Sequence, residues 1–239
     1  MQIPRIYQNT PIENQVQLSP EAMRHVVNVL RLQTGAPVIL FNGDNHEYHG
    51  ELEIRDKRTV LVNIHNKLFV NRESPLRIHL AQGIARGEKM DFIIQKAIEL
   101  GVHEITPLFT QRCNVKLDQE RMPKRLAHWQ AVAVSAAEQC GRNQITQINP
   151  PLEFAPFVES ELLGQKFILS HRAQQDLKSI ANTKACTLLV GPEGGFELHE
   201  LKMAENHDFM PIVLGPRILR TETAALVAVS LLQSQLGDL

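Results

Sequence analysis

Three short apolar runs, at residues 166–170, 187–190 and 211–214, constrain this chain more than any other feature. None alternates with polar residues, so each reads as a strand covered on both faces of a parallel sheet. Parallel strands need long crossover connections, and the stretches between the runs have the length and spacing of helices. The same grammar begins earlier, with a strand expected at 76–84, a helix at 88–100 closed by Gly101, a strand at 104–109 and a long helix at 124–139. Ile93, Ile94, Ala97 and Ile98 share one face of the first helix, and Leu126, Val132 and Ala136 share one face of the second. An α/β domain follows.

Residues 1–72 follow another pattern. Ser19-Pro20-Glu21 is a helix start, with a capping hydroxyl, a proline in the first turn and an acid near the positive end of the helix dipole. Met23, Val26, Val27 and Leu30 give that helix one apolar face, and it is expected to end near Gly35. An apolar run at 37–41, the turn Asn42-Gly43-Asp44 and strands at 51–54 and 59–68 complete a small β-rich unit. At Asn71-Arg72-Glu73-Ser74-Pro75 the composition turns polar and the periodicity changes, so the expected division is 1–72 and 73–239. With 239 residues, 43% hydrophobic and 21% charged, the chain is too apolar for disorder and too short for a long multidomain machine.

The net charge of -1 conceals an imbalance: residues 1–150 hold 18 Lys and Arg against 15 Asp and Glu, and 151–239 hold 7 against 11. The first part is the better surface for an anionic partner, although uneven scatter gives the same counts. Cys113, Cys140 and Cys186 lie far apart, so neither a disulfide framework nor a zinc knuckle is expected, and a reducing cytosol fits. The start Met1-Gln2-Ile3-Pro4-Arg5 lacks the apolar centre of a signal peptide, and Ser230 interrupts the apolar stretch around 224–232. No membrane span and no metal are expected.

Ligands of open α/β sheets bind beyond the carboxyl ends of the strands. Two of those ends are Gly-Pro bends: Gly191-Pro192-Glu193-Gly194-Gly195 and Gly215-Pro216-Arg217-Ile218-Leu219-Arg220-Thr221-Glu222-Thr223. Glycine lets main chain approach a flat ligand closely, and proline stiffens the bend. One Gly-Pro is usually a tight turn, whereas two at the ends of strands in one sheet point to recognition by backbone groups. Neither loop matches a P-loop or a dinucleotide fingerprint, which disfavours a phosphate-bearing cofactor.

Arg86-Gly87-Glu88-Lys89-Met90, Glu138-Gln139-Cys140-Gly141-Arg142, the Gly-Pro-Glu-Gly-Gly loop and Leu214 to Ala224 occur in that order. The chain resembles SPOUT-class RNA methyltransferases, and within them the ribosomal RNA small subunit methyltransferase E family, over essentially its whole length. The resemblance implies an N-terminal PUA-like β-barrel and an α/β domain whose end is threaded into a trefoil knot. It also implies a homodimer, S-adenosylmethionine as methyl donor and N3 of a uridine in 16S ribosomal RNA as target, within the small ribosomal subunit.

Under that resemblance, the donor would be enclosed by Leu169, Ser170 and His171, by Gly191, Pro192, Glu193, Gly194 and Gly195, and by Leu214, Gly215, Pro216, Ile218, Leu219 and Thr221. Ile218 and Leu219 have two readings, packing on adenine or filling the core. Uridine N3 carries a proton at neutral pH, so the site must favour the anionic base or remove that proton. Arg220 is the leading group to stabilise charge on the uracil oxygens, with phosphate binding as its other reading. Glu222 is either the proton acceptor or a favourable charge at a helix start. His171 is another possible base or a structural residue, and Thr221 is expected to cap the last helix. Arg5, Arg24, Arg31, Arg86 and Lys89 are phosphate contacts or solvated surface, and Arg142 or Gln139 reaches RNA or a second subunit. Aromatic residues make up 5% of the chain, so an extensive base-stacking platform is not expected. Two alternatives stay open: a SPOUT enzyme with another nucleoside target, and a non-catalytic RNA-binding assembly factor.

Overall fold

A computed structural model describes residues 3–56, 58–113, 120–176 and 183–239. They form two compact units, one of Met1–Glu73 with Ala137–Ile145, the other of Ser74–Ala136 with Thr146–Leu239. The expected division treated each unit as one contiguous segment. Ala137–Ile145 instead joins the first unit, because its polar groups are bonded to those of residues 1–73.

In the first unit, β1 (Arg5–Tyr7), β2 (Gln15–Gln17), β3 (Pro37–Phe41), β4 (His46–Ile54) and β5 (Val60–Phe69) pair in the order β1-β3-β4-β5-β2. The β1–β3 ladder is parallel and the others are antiparallel. Among the described residues no ladder joins β1 to β2, so by its hydrogen bonding the expected barrel is an open sheet. Ile6, Val16, Val26, Leu40, Leu52 and Val62 make its core. The Ser19 hydroxyl caps α1 (Pro20–Arg24) by accepting the Ala22 N–H at 3.2 Å. The helix continues as a π-turn, His25–Val29, and stops well before Gly35, because Arg31 takes a left-handed conformation at φ 53°.

Two expected RNA contacts are corrected here. Arg5 is buried in a network: it donates to Glu47 Oε1 at 2.5 Å, to Asn143 Oδ1 at 2.5 Å and to the Arg142 carbonyl at 3.1 Å, and it stacks on Phe41. Arg142 is equally buried and pairs with Glu73. Guanidinium groups removed from water and paired with buried carboxylates are not available to RNA phosphate. Glu47 further accepts from Arg72 at 2.6 Å, and Asn143 donates to the Val70 carbonyl at 2.7 Å. Arg24 and Arg31 are exposed.

The second unit holds β6 (Arg77–Gly83), α2 (Glu88–Glu99), β7 (Glu104–Phe109), most of α3 (Met122–Cys140), β8 (Gln147–Ile148), β9 (Leu152–Glu153), α4 (Phe154–Glu159), β10 (Gln165–Leu169), β11 (Ala185–Val190), α5 (Leu198–Asn206), β12 (Met210–Ile212) and α6 (Thr221–Leu236). Its ladders are all parallel, in the order β12-β10-β11-β6-β7-β8, with β9 also on β7. From β6 the chain first builds outward through β7 and β8, then returns to the other side of β6. The strand order therefore reverses between β6 and β11, and α/β sheets bind ligands at such a point. There the main chains nearly touch: a Cβ on Gly83 would lie 2.5 Å from Pro192 Cδ. Ala225, Ala228, Val229 and Leu232 bury one side of α6, which packs on α2.

His79, on β6, bonds Thr106 Oγ1 through Nε2 at 2.7 Å. Burial holds its pKa below the ordinary imidazole range, against Glu104 at 4.0 Å. The unfolded chain then takes up a proton at higher pH than the folded one, so stability is lost as pH falls through the ordinary histidine range toward the lower folded value. His79→Gln is expected to flatten the fall in thermal midpoint between about pH 7 and about pH 5. An unaltered slope would reject this account.

Candidate active site

β10, β11 and β12 are sheet neighbours and parallel, so their carboxyl ends lie side by side. The chain leaving each end contributes to one cavity of about 250 Å³. Leu169, Ser170 and His171 line it after β10, Gly191 to Gly195 after β11, and Leu214, Gly215, Ile218, Leu219 and Thr221 after β12. Every donor-binding residue expected from sequence lies on this wall except Pro216, which occupies the bend itself. Gly195 and Gly215 have φ values of 67° and 77°, a conformation that side chains with a Cβ disfavour. Ile218 is 85% exposed, which rules out its core-filling reading.

Thr221 is corrected. Arg220, not Thr221, is the N-cap of α6, and it makes no capping bond with its side chain. The Thr221 hydroxyl is spent elsewhere: it donates to the Gly191 carbonyl at 2.6 Å and accepts from Gln82 Nε2 at 3.0 Å. Gln82 Nε2 also donates to the Gly83 carbonyl at 2.9 Å. This buried amide therefore ties the end of β6 to the start of α6, at the point where the strand order reverses. Sequence reading passed over Gln82, although a glutamine inside an apolar strand was a signal that the main-chain groups around it need a partner.

Arg220 and Glu222 lie outside the cavity wall, on either side of Thr221. Arg220 is exposed, whereas the Glu222 side chain is 17% exposed, with its Oε2 3.8 Å from Lys89 Nζ. Lys89 also approaches Glu193 Oε1 at 3.4 Å, so it faces carboxylates rather than open solvent alone. Burial works to raise the Glu193 pKa, but the Arg86 N–H, its own N–H and Lys89 outweigh that and hold it below the usual carboxylate range. Arg86 is exposed.

Arg112, Arg172 and Arg217 also line the cavity and were missed. Arg112 donates to Glu197 Oε1 at 2.8 Å and to the Gly194 carbonyl at 2.9 Å, which braces the glycine loop. Nothing local in the sequence marked it, since its partners come more than eighty residues later. Among the described residues no group of three or more His, Cys, Asp or Glu is arranged to hold a metal, and no helix is long and apolar enough to cross a membrane.

A family model described as an RNA methyltransferase domain matches residues 72–233, and one described as an RNA methyltransferase PUA domain matches 18–64. The ribosomal RNA small subunit methyltransferase E of Buchnera aphidicola subsp. Schizaphis graminum is 38% identical over 241 residues, covering 99% of this chain and 98% of that one. The chain belongs to the ribosomal RNA small subunit methyltransferase E family. The Bacillus subtilis member is 31% identical over 228 residues, covering 91% of this chain and 89% of its own. Two solved structures are also similar. A methyltransferase of Legionella pneumophila, with the cofactor SAM bound, superposes with a TM-score of 0.97 at 45% identity over the whole of both chains. The family member from Neisseria gonorrhoeae, bound to S-adenosylmethionine, gives 0.92 at 35% identity over 99% of each.

Proposed function

We propose that this chain transfers a methyl group from S-adenosylmethionine to N3 of a uridine in 16S ribosomal RNA, acting as a homodimer on the small ribosomal subunit. One observation carries the reading: the loops after three adjacent parallel strands line a single cavity, in a family whose solved relatives hold this cofactor. The wall suits that molecule. Bare main chain at Gly191, Gly195 and Gly215 admits a flat base, Leu169, Leu214 and Leu219 offer apolar contact, and Arg172 and Arg217 suit a carboxylate. Ser170, His171, Pro192, Glu193, Gly194, Ile218 and Thr221 complete the site, and Pro216 stiffens its bend. When bound, S-adenosylmethionine supplies an electrophilic methyl group.

The chain's own residues then have to orient the base and manage one proton. The exposed Arg220, beside Thr221 of the wall, donates to the uracil oxygens and stabilises the anion as N3 loses its proton. The less exposed Glu222 accepts that proton. Positions just outside the cofactor wall suit both residues, because the base must approach from the mouth. Holding the two reactants in line supplies about 7–11 kcal/mol of the barrier reduction.

The wall also suits a SPOUT-type threaded end. After β12, the edge strand, residues 213–220 must cross the carboxyl end of β10 for Thr221 to reach Gly191 and Gln82, and the Val213 N–H bonds the Gln175 carbonyl at 2.9 Å on the way. Arg24 and Arg31 on the PUA unit, and Arg86 on the other, are the proposed phosphate contacts.

A side chain at Gly191 should close the cavity. Its Cβ would lie 3.0 Å from Gly195 Cα, against main chain that cannot turn aside. Gly191→Val is expected to displace the Gly195 main chain into the donor space and lower S-adenosylmethionine affinity by about 10- to 100-fold by calorimetry, about 1–3 kcal/mol. At Gly194 the added atom would meet the Arg112 side chain instead, 2.9 Å away. Unchanged affinity for Gly191→Val would reject the cavity as the donor site.

The deciding experiment incubates the protein with labelled donor and methyl-deficient small subunits, then maps the modified nucleotide and identifies the nucleoside by mass spectrometry. N3-methyluridine in 16S RNA is expected. A methylated ribose or another base would overturn the target, and no incorporation would overturn the enzyme.

A further inference from the structure

The start of α6 is tied down twice, and each tie has three ends. In one, Thr221 meets the Gly191 carbonyl and the Gln82 amide. In the other, the Lys89 ammonium stands 3.4 Å from Glu193 Oε1 and 3.8 Å from Glu222 Oε2. Thr221 thus meets one partner from the 191–195 loop and one from β6, whereas Glu222 meets Lys89 of α2, which also faces Glu193 of that loop. The second tie is ionic and sits beside the proposed chemistry.

Its two carboxylates are not equivalent. Glu193 Oε1 accepts the Arg86 N–H at 3.1 Å and faces Lys89, so its lone pairs are engaged. Glu222 Oε2 is shielded from solvent and, among the described residues, accepts no hydrogen bond. Of Glu193 Oε1 and Glu222 Oε2, only the second is free of a hydrogen bond. Two carboxylates also offset the charge of the one ammonium between them, which makes it a weaker partner for phosphate.

We infer that Lys89 is a positioning residue for methyl transfer, holding the Glu222 carboxylate where it receives the N3 proton, rather than an RNA contact. The inference rests on the reading of Glu222 as proton acceptor. As the bond from the methyl carbon to N3 forms and the sulfur–carbon bond breaks, sulfur keeps that bonding pair. The N3–H bond breaks toward Glu222, its electron pair stays on the ring, and Lys89 keeps its own proton.

Steady-state methylation of methyl-deficient small subunits tests this with the full chain. Lys89→Met is expected to lower kcat by about 10- to 100-fold, within the usual reach of a misplaced acid–base group. Calorimetric affinity for S-adenosylmethionine and KM for the subunit should hold within about threefold, and Lys89→Arg should restore most of kcat, because a guanidinium can span the same two carboxylates. Lys89→Gln serves the same comparison if the methionine variant is insoluble. A raised KM with unchanged kcat would overturn the inference and make Lys89 a phosphate contact. Wild-type kcat in Lys89→Met beside an inactive Glu222→Gln would sink the Lys89 role alone. Wild-type kcat in Glu222→Gln would remove the proton-acceptor reading, and this inference with it.

Discussion

Arg220→Ala is expected to lower the rate of methyl transfer by about 10²–10³-fold, the usual effect of removing one donor aimed at developing negative charge. Arg220 is exposed, makes no capping bond and lies off the cavity wall, so the fold and donor affinity should change little. That separation makes the test sharp. Single-turnover assays with saturating donor read the chemical step directly, and Arg220→Lys should recover only part of the rate, because an ammonium lacks the planar fork that meets two carbonyl groups. Wild-type single-turnover rates in Arg220→Ala would remove the residue from the reaction.

Glu47→Leu should produce the largest loss of stability. Its carboxylate accepts from Arg5 at 2.5 Å and Arg72 at 2.6 Å, and the Arg5 and Glu47 side chains are only 5% and 7% exposed. Burial alone would raise the Glu47 pKa, but Arg72 and Arg5 more than reverse this and hold it below the usual carboxylate range. Leucine leaves the Arg5 charge buried without its carboxylate, at a cost of about 3–5 kcal/mol. The thermal midpoint should fall by about 10 °C. Adding Arg5→Met should recover part of that loss, because the stranded charge, rather than the lost attraction, is the main cost. A midpoint within about 2 °C of the parent for Glu47→Leu would reject the network as a structural element.

The expected strands of the α/β unit and its two helices with expected bounds, 88–100 and 124–139, reappear within a residue or two, because short apolar runs and helical spacing are local properties of the chain. The two Gly-Pro bends were legible for the same reason. Arg5 and Arg142 were misread because a lone arginine in a sequence carries no sign of its partner; Glu47 and Glu73 are distant in the chain and meet these arginines only after folding. The carboxylates beside Lys89, Glu193 and Glu222, are likewise distant in the chain. Gln82 could have been noticed as a polar residue in an apolar strand, but its partners Gly191 and Thr221 could not. The helix at 20–29 was read too long, since periodicity does not report the left-handed turn at Arg31.

By itself, then, the order of residues determined the alternation of strand and helix, the stiff bends at strand ends and, through its motifs, the family. Each depends on neighbours within a few positions or on direct comparison of letters. Tertiary structure decided which arginines are buried, that Ala137–Ile145 belongs with the first unit, and that Lys89 stands between Glu193 and Glu222. Those outcomes depend on burial and on charges brought together from distant positions, and such energies exist only when the chain is folded.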